Sequence, residues 1–136
     1  MDKKNYKKLH NNKKKIIVLK QFLSIIKFGF CGLKALNYGY LNGKQLEIVR
    51  RVIARITKRV GKIIIRIFFF QSITKKPLLS RMGKGAGPIK LWVAYIRKGI
   101  IILEIKHIPF FLAIKALNSA SIRLPFLVNI ICREIA

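Results

Sequence analysis

The apolar positions of this chain change period several times, and each change marks an element. Ile16–Lys20 and Phe22–Phe30 are runs of β-branched and aromatic residues, which predict two strands with a turn in Lys20–Ser24. Phe28-Gly29-Phe30-Cys31-Gly32-Leu33 then sets two glycines among bulky groups, the pattern of a bulge or of a close backbone approach. Asn37–Gly43, rich in Asn, Gly and Tyr, reads as a loop.

A helical period follows. Asn42 can cap a helix, with Gln45 three residues on completing a capping-box pair. Leu46, Val49, Ile53, Ile56 and Val60 recur at spacings of three and four and predict a core-facing stripe, with Gly61 as its stop. Lys44, Arg51, Arg55, Lys58 and Lys62 repeat that spacing two residues out of phase, about 200° around the helix. The basic row thus lies opposite the apolar one. Glu47 is its only acid, placed to meet Arg51 at i,i+4. Like charges one turn apart repel, so a row of one sign calls for an anionic partner.

Beyond it, Lys62–Phe70 begins in alternation and predicts a strand with Ile63, Ile65 and Ile67 on one side. Phe68-Phe69-Phe70 and Trp92 are expected in the core, with base stacking as the alternative. Ile89–Arg97 and Ile100–Lys106 read as strands joined by a Lys98-Gly99 turn and expected to pair as a hairpin. Pro109 opens a second helix with Phe110, Ala113, Ile114, Leu117, Ala120 and Ser121 on one stripe. Leu124-Pro125 ends it, and Phe126–Cys132 is a last strand. The expected fold is α+β: a mostly antiparallel sheet covered by two helices. A basic N-terminal arm, residues 1–15, precedes a single domain, 16–136.

Between two of these strands stands Arg81-Met82-Gly83-Lys84-Gly85-Ala86-Gly87-Pro88, preceded by Lys75 and Lys76. Alternate glycines make positive φ cheap and leave the backbone open to close approach. The stretch lacks the Walker A and dinucleotide-fold spacings, so it predicts a projecting basic finger and not a nucleotide cradle.

Charge sharpens the picture. Lys and Arg number 29 against 4 acids in 136 residues, a formal net charge of +25. A compact state of that charge repels itself, which points to a polyanionic partner, nucleic acid or an anionic membrane. The longest uncharged runs, 35–43 and 124–132, are nine residues each, against about 20 for a spanning helix, so no membrane span is expected. Residues 1–15 carry seven lysines and cannot bury enough surface to fold alone. They are expected to be a disordered arm that binds RNA through Lys3, Lys4, Lys7, Lys8, His10, Lys13, Lys14 and Lys15.

Catalytic material is lacking. Asp2, Glu47, Glu104 and Glu134 are scattered, His10 and His107 have no nucleophile partner, and the serines sit in no elbow motif. The chain is read as a non-enzyme without cofactor or metal. Cys31 and Cys132 are far apart, lack zinc spacing, and are read as two buried thiols in a reducing compartment. There are 24 isoleucines, with Lys, Phe and Asn also plentiful, a bias toward A/T-rich codons that fits an organelle genome or some bacteria.

In chain order these features resemble the large-subunit ribosomal protein sixteen family, of bacterial and organellar type. The resemblance rests on Tyr6, Lys8 and His10; Phe28-Gly29; Gly32-Leu33-Lys34-Ala35; Gln45 and Glu47; and Arg50-Arg51 with Arg55, Lys58 and Arg59. It continues through Gly61-Lys62-Ile63, Ile65-Arg66, Thr74-Lys75-Lys76-Pro77, Arg81-Met82-Gly83-Lys84-Gly85, Trp92-Val93-Ala94, Gly99, Glu104 and Leu124-Pro125. It implies a structural constituent of a large subunit that binds ribosomal RNA near the peptidyl-transferase region and helps form the aminoacyl-tRNA site. Arg81, Met82, Gly83, Lys84, Gly85 and Gly87 would face tRNA. The arm, with Lys44, Arg50, Arg51, Arg55, Lys58, Arg59, Lys62, Arg66, Lys75 and Lys76, would hold ribosomal RNA. Neighbouring ribosomal proteins are the other expected partners, and no homo-oligomer is expected. A mitochondrial location is expected, with plastid or bacterial cytoplasm as alternatives, and a ribosome-independent RNA chaperone or single-strand binder is the competing function. Ala86 stands where the family carries a further lysine, Asn42 replaces the usual Thr cap, and Phe69-Phe70 replaces a Pro-Asp-Lys turn.

Overall fold

The computed structural model describes residues 24–133. Strands β1 (Cys31–Ala35) and β2 (Gly39–Asn42) lead into α1 (Gly43–Ile56). Strands β3 (Lys62–Ile65), β4 (Gln71–Thr74), β5 (Ile89–Ile96) and β6 (Ile101–Lys106) follow, then α2 (Phe110–Ser121) and β7 (Val128–Cys132). The α+β class is as expected, with the strands divided between two antiparallel sheets: β3-β6-β1-β7 and β2-β5-β4. The arm 1–15 and the run 16–23 lie outside the described residues.

That division overturns the expected β5–β6 hairpin. The Lys98-Gly99 turn forms, with Gly99 at φ +91°, but it is a corner and not a hairpin turn. Gly99 N–H donates to Ala35 O at 2.7 Å and Ala35 N–H to Ile100 O at 2.9 Å, which docks the corner on the end of β1. From there β6 runs between β1 and β3, while β5 runs between β2 and β4. The actual hairpin is β4–β5, whose connection is the glycine-rich finger.

Strand β2 forms where a loop was expected, and β4 forms just beyond the strand expected to end at Phe70. Each is four residues long and pairs with β5, Gly39–Asn42 against Val93–Ile96 and Gln71–Thr74 against Ile89–Val93. Conversely, 24–30 is not a strand. Gly29 and Gly32 have the tight surroundings anticipated for them: an added Cβ would lie 2.6 Å from Ile105 O and 2.8 Å from Leu103 O. β1 carries its irregularity one residue later, between Leu33 and Lys34.

Helix α1 begins as its sequence dictates. Asn42 Oδ1 accepts from Lys44 N–H at 3.4 Å and Gln45 Oε1 accepts from Asn42 N–H at 3.0 Å, an arrangement that stabilises a helix start by about 1 kcal/mol. Leu46, Val49 and Ile53 are buried and Ile56 is half-buried, but the helix stops there. Thr57 caps it, its buried hydroxyl donating to Ile53 O at 3.0 Å. Val60 is consequently exposed, and Gly61, at φ +83°, turns the chain into β3 instead of ending the helix. The two helices pack on each other and α2 also lies against β1 and β7, with Ala113, Ala116, Leu117 and Ala120 buried. The core lies between them and the strands, centred on Leu33, Leu41, Ile96, Ile102, Leu103 and Ile105.

β3 ends at Ile65, and 66–70 crosses between the sheets without strand structure. Ile67 and Phe69 pack on the core from this crossing, whereas Phe68 and Phe70 face outward, Phe68 at 75% exposure. The phenylalanine cluster is therefore split. Trp92 is half-buried on β5.

The cysteines correct the expectation of two separate thiols. β7 pairs with β1 in a register that sets Cys31 directly opposite Cys132, Cα atoms 4.0 Å apart, and the two form a disulfide. A separation of 101 residues hid this pairing from any local pattern. Under denaturing, non-reducing conditions neither cysteine should take up an alkylating reagent, and labelling of both would refute the bond. Closing a loop of that length is worth about 4–5 kcal/mol in the chain-entropy model, so Cys132→Ala should lower the denaturation midpoint measurably.

Candidate nucleic-acid interface

The 110 residues from Ser24 to Arg133 include only two acids, Glu47 and Glu104. Both are held by arginines. Glu104 sits at the middle of β6 with its side chain fully buried, and its carboxylate accepts from Lys27 N–H (3.2 Å), Phe28 N–H (2.7 Å) and Gly29 N–H (2.7 Å). Arg66 Nη1 closes the cluster at 2.6 Å, with only 6% of its side chain exposed. Burial alone would raise the Glu104 pKa. The backbone donors, from Gly29 most strongly, and then Arg66 outweigh it and hold the carboxyl below its ordinary value. Arg66, expected among the RNA contacts, is thus turned inward as the counter-ion of a core carboxylate. Its guanidinium also lies 5.7 Å from the Phe28 ring centroid.

Glu47 lies on the outer face of α1 and takes Arg50 through two bonds, 2.8 and 2.7 Å, and Arg51 through one of 3.0 Å. Arg50 was not in the expected basic row; it shares Glu47 by i,i+3 spacing. The hydrogen bond from Arg50, then that from Arg51, lowers the Glu47 pKa to about 2. One carboxylate therefore holds two guanidiniums side by side, with most of their donors still facing outward.

Past the helix end the chain enters the left-handed region twice in succession, at Lys58 (φ 51°) and Arg59 (φ 64°). Neither is glycine, and such a conformation costs about 1–2 kcal/mol per residue. The turn brings both cations beside the helix. Arg50, Arg51, Ala54, Arg55, Lys58 and Arg59 line an open groove of about 620 Å³. Five of the six carry positive charge. Lys44, at the opposite end of α1, and Lys62, the first residue of β3, stand apart from this groove.

The second basic surface is the β4–β5 finger. Lys75 N–H donates to Pro88 O at 3.1 Å across its neck, and Lys76 Nζ donates to Gly83 O at 2.5 Å, so one donor of Lys76 helps to fold the finger. Gly83, Lys84 and Gly85 all take positive φ, 102°, 56° and 74°. Gly87 serves a different purpose. A Cβ there would meet Lys75 O at 2.6 Å, Lys75 C at 2.7 Å and Lys76 N at 2.8 Å, all backbone atoms. Gly87→Ala should therefore open the neck, lower unfolding free energy by about 1–3 kcal/mol, and expose 75–88 to proteolysis. Gly43→Ala, where nothing lies within 4 Å of the new methyl, is the control. Equal protease resistance of the two variants would show that the neck tolerates the methyl group.

No group of His, Cys, Asp and Glu among the described residues could hold a metal ion, and no helix there is long and apolar enough to cross a membrane. What sequence reasoning missed is the role of Glu104. Its signal was available: a lone acid inside Ile101–Ile105, where burial demands a partner.

The model of the family described as ribosomal protein L16p/L10e matches residues 1–131. Two similar proteins, from Psychrobacter cryohalolentis and Psychrobacter arcticus, are each named large ribosomal subunit protein uL16. Each is 46% identical over 112 residues, covering 82% of either chain. The chain belongs to the ribosomal protein L16p/L10e family, whose members are structural and not enzymatic.

Proposed function

We propose that this chain is a structural constituent of a large ribosomal subunit, holding ribosomal RNA on its α1 groove and directing its finger at tRNA in the aminoacyl site. The observation that carries the reading is family membership along nearly the whole length. The geometry supports it with two cationic surfaces in a stretch whose only acids are already taken by arginines. On the RNA side the contacts are Arg50, Arg51, Arg55, Lys58 and Arg59, with Lys44, Lys62 and the arm lysines as outlying anchors. Arg81 and Lys84 are the finger's outward cations. The mechanism is neutralisation of closely packed phosphates, and no bond is made or broken.

The compartment we propose is the mitochondrion, on the residue bias of an A/T-rich gene; the named relatives are bacterial, and a bacterial cytoplasm is the competing location. Sedimentation of a tagged chain tests the main reading. It should travel with intact large subunits, from mitochondria if the location is right. A protein that stays at the top of the gradient belongs to the RNA-chaperone alternative. Arg81→Ala with Lys84→Ala should leave subunit assembly intact and weaken tRNA binding at the aminoacyl site. Equal loss of assembly would make the finger a ribosomal-RNA anchor instead.

A further inference from the structure

The two edge strands of the sheet β3-β6-β1-β7 are held differently. β3 is joined to β6 through its ladder, whereas β7 is joined to β1 through its ladder and the Cys31–Cys132 disulfide. Backbone bonds close both ends of the β1–β7 ladder: Leu36 N–H donates to Leu127 O at 2.9 Å and Arg133 N–H to Phe30 O at 2.6 Å. The disulfide sits at the second of these ends, on the last residue of the strand. Strand ends near a terminus fray at low cost, so a covalent bond placed there governs how often the strand opens.

The two sulfurs differ in access. Cys31 is wholly buried, on a strand flanked by β6 and β7. Cys132 is half-buried and is followed by exposed Arg133. A thiol can therefore reach Cys132 from the open edge of the sheet without crossing the core. Exchange proceeds by thiolate attack on the accessible sulfur. The Arg133 guanidinium one residue away favours an anion there, and a chain of net charge +25 draws anionic thiols toward itself. The chemical class that fits is a small thiol carrying carboxylates, which is glutathione chemistry.

We infer that Cys31–Cys132 is a thiol-exchange site, at which glutathione enters through Cys132 and releases strand β7, and oxidised glutathione locks it again. In the first step a glutathione thiolate bonds to Cys132 Sγ as the Cys31–Cys132 bond breaks. Cys31 Sγ leaves with the electron pair and takes a proton from water. In the second, another glutathione thiolate attacks the glutathione sulfur of that adduct. Cys132 leaves as a thiolate and oxidised glutathione departs, so two thiols are oxidised as one protein disulfide is reduced. Cys132 packs against the core, so a tripeptide on its sulfur also keeps β7 from reseating. None of this depends on a ribosomal role.

The test equilibrates the full-length chain with reduced or oxidised glutathione and follows it by intact-protein mass spectrometry and amide hydrogen exchange. N–H groups alternate along an antiparallel ladder, so those of Asn129 and Ile131 point at β1 as that of Arg133 does. Reduction should speed their exchange about tenfold or more relative to the amides of β6, and oxidised glutathione should reverse the change. The ratio to β6 is the readout because losing a cross-link across 101 residues also lowers global stability, which speeds all amides alike. A transient adduct of one glutathione should map to Cys132. Cys132→Ser should show the reduced pattern in either buffer.

A bond that survives a large excess of reduced glutathione would be a fixed staple and would overturn the inference. Equal acceleration of β6 and β7 would do the same, since reduction would then act on the whole fold and release no strand. An adduct on Cys31 would refute Cys132 as the point of entry. A bond that fails to form in oxidised glutathione, or a Cys132→Ser chain that still responds to the buffers, would remove the site. The main comparison uses the unaltered chain, so its outcome does not hang on the folding of a variant.

Discussion

Glu104→Ala should destabilise the domain by about 3–5 kcal/mol, the usual cost of removing one partner from a buried ion pair. The substitution takes the carboxylate from a nearly buried Arg66 guanidinium, which keeps its bond to Ile25 O, and leaves the N–H groups of Lys27, Phe28 and Gly29 without their acceptor. Glu104→Gln keeps one carbonyl acceptor and most of the volume and should cost less. Urea denaturation followed by circular dichroism separates the two variants. Proton linkage gives a second check. Because the folded carboxyl titrates below its ordinary value, its contribution is complete above the unfolded pKa and is lost as pH falls through the folded one. The wild type should therefore lose stability on acidification below the ordinary carboxylate range, and Glu104→Gln should flatten that part of the curve. An alanine variant as stable as wild type would mean that water or a neighbour replaces the carboxylate.

Charge removal at the α1 groove should be read out in salt dependence. Arg55→Gln, Lys58→Asn and Arg59→Asn together take three cations from the groove while leaving Glu47 its two arginines. Asn suits the left-handed backbone at 58 and 59, so the fold is spared. Binding to naked large-subunit RNA should weaken, most of all at low salt, and its log–log salt slope should fall by about 2–3 units, from 0.7–0.9 per lost phosphate contact. An unchanged slope would remove the groove from the RNA surface. Replacing exposed Ile48 on the same helix should leave the slope alone.

What the sequence made legible was local. The Asn42–Gln45 cap and the Leu46-Val49-Ile53 stripe depend on neighbours within a turn or two, and both stand as read. The end of α1 was misplaced because Gly61 is the obvious stop, whereas Thr57 closes the helix with its own hydroxyl four residues earlier. The β5–β6 hairpin was misread for a related reason. A Lys-Gly turn between two strands looks the same whether they then pair or diverge, and only Ala35, far away in sequence, decides between them. The short strands β2 and β4 carry too few residues to show a period and exist because β5 lies between them. In the candidate interface, the basic row was visible, but which cations remain available was not. Arg66 and Lys76 look like their neighbours in sequence and are distinguished only by Glu104 and Gly83 O, their partners in space.

The central position of β1 has a consequence for how the chain acquires its structure. Both neighbours of this strand, β6 and β7, lie some 70 to 100 residues downstream, with Cys31 paired to Ile105 on one side and Cys132 on the other. During synthesis β1 leaves the ribosome with no partner until most of the chain has followed. Contacts so distant in sequence slow folding, since loop closure must precede any gain from pairing. The four-stranded sheet is therefore expected to form late and as a unit, after α1 and the β4–β5 hairpin, which need only nearby residues. A nascent chain halted before β6 should show the helix without protection of the β1 amides, a difference that hydrogen exchange on stalled chains would detect.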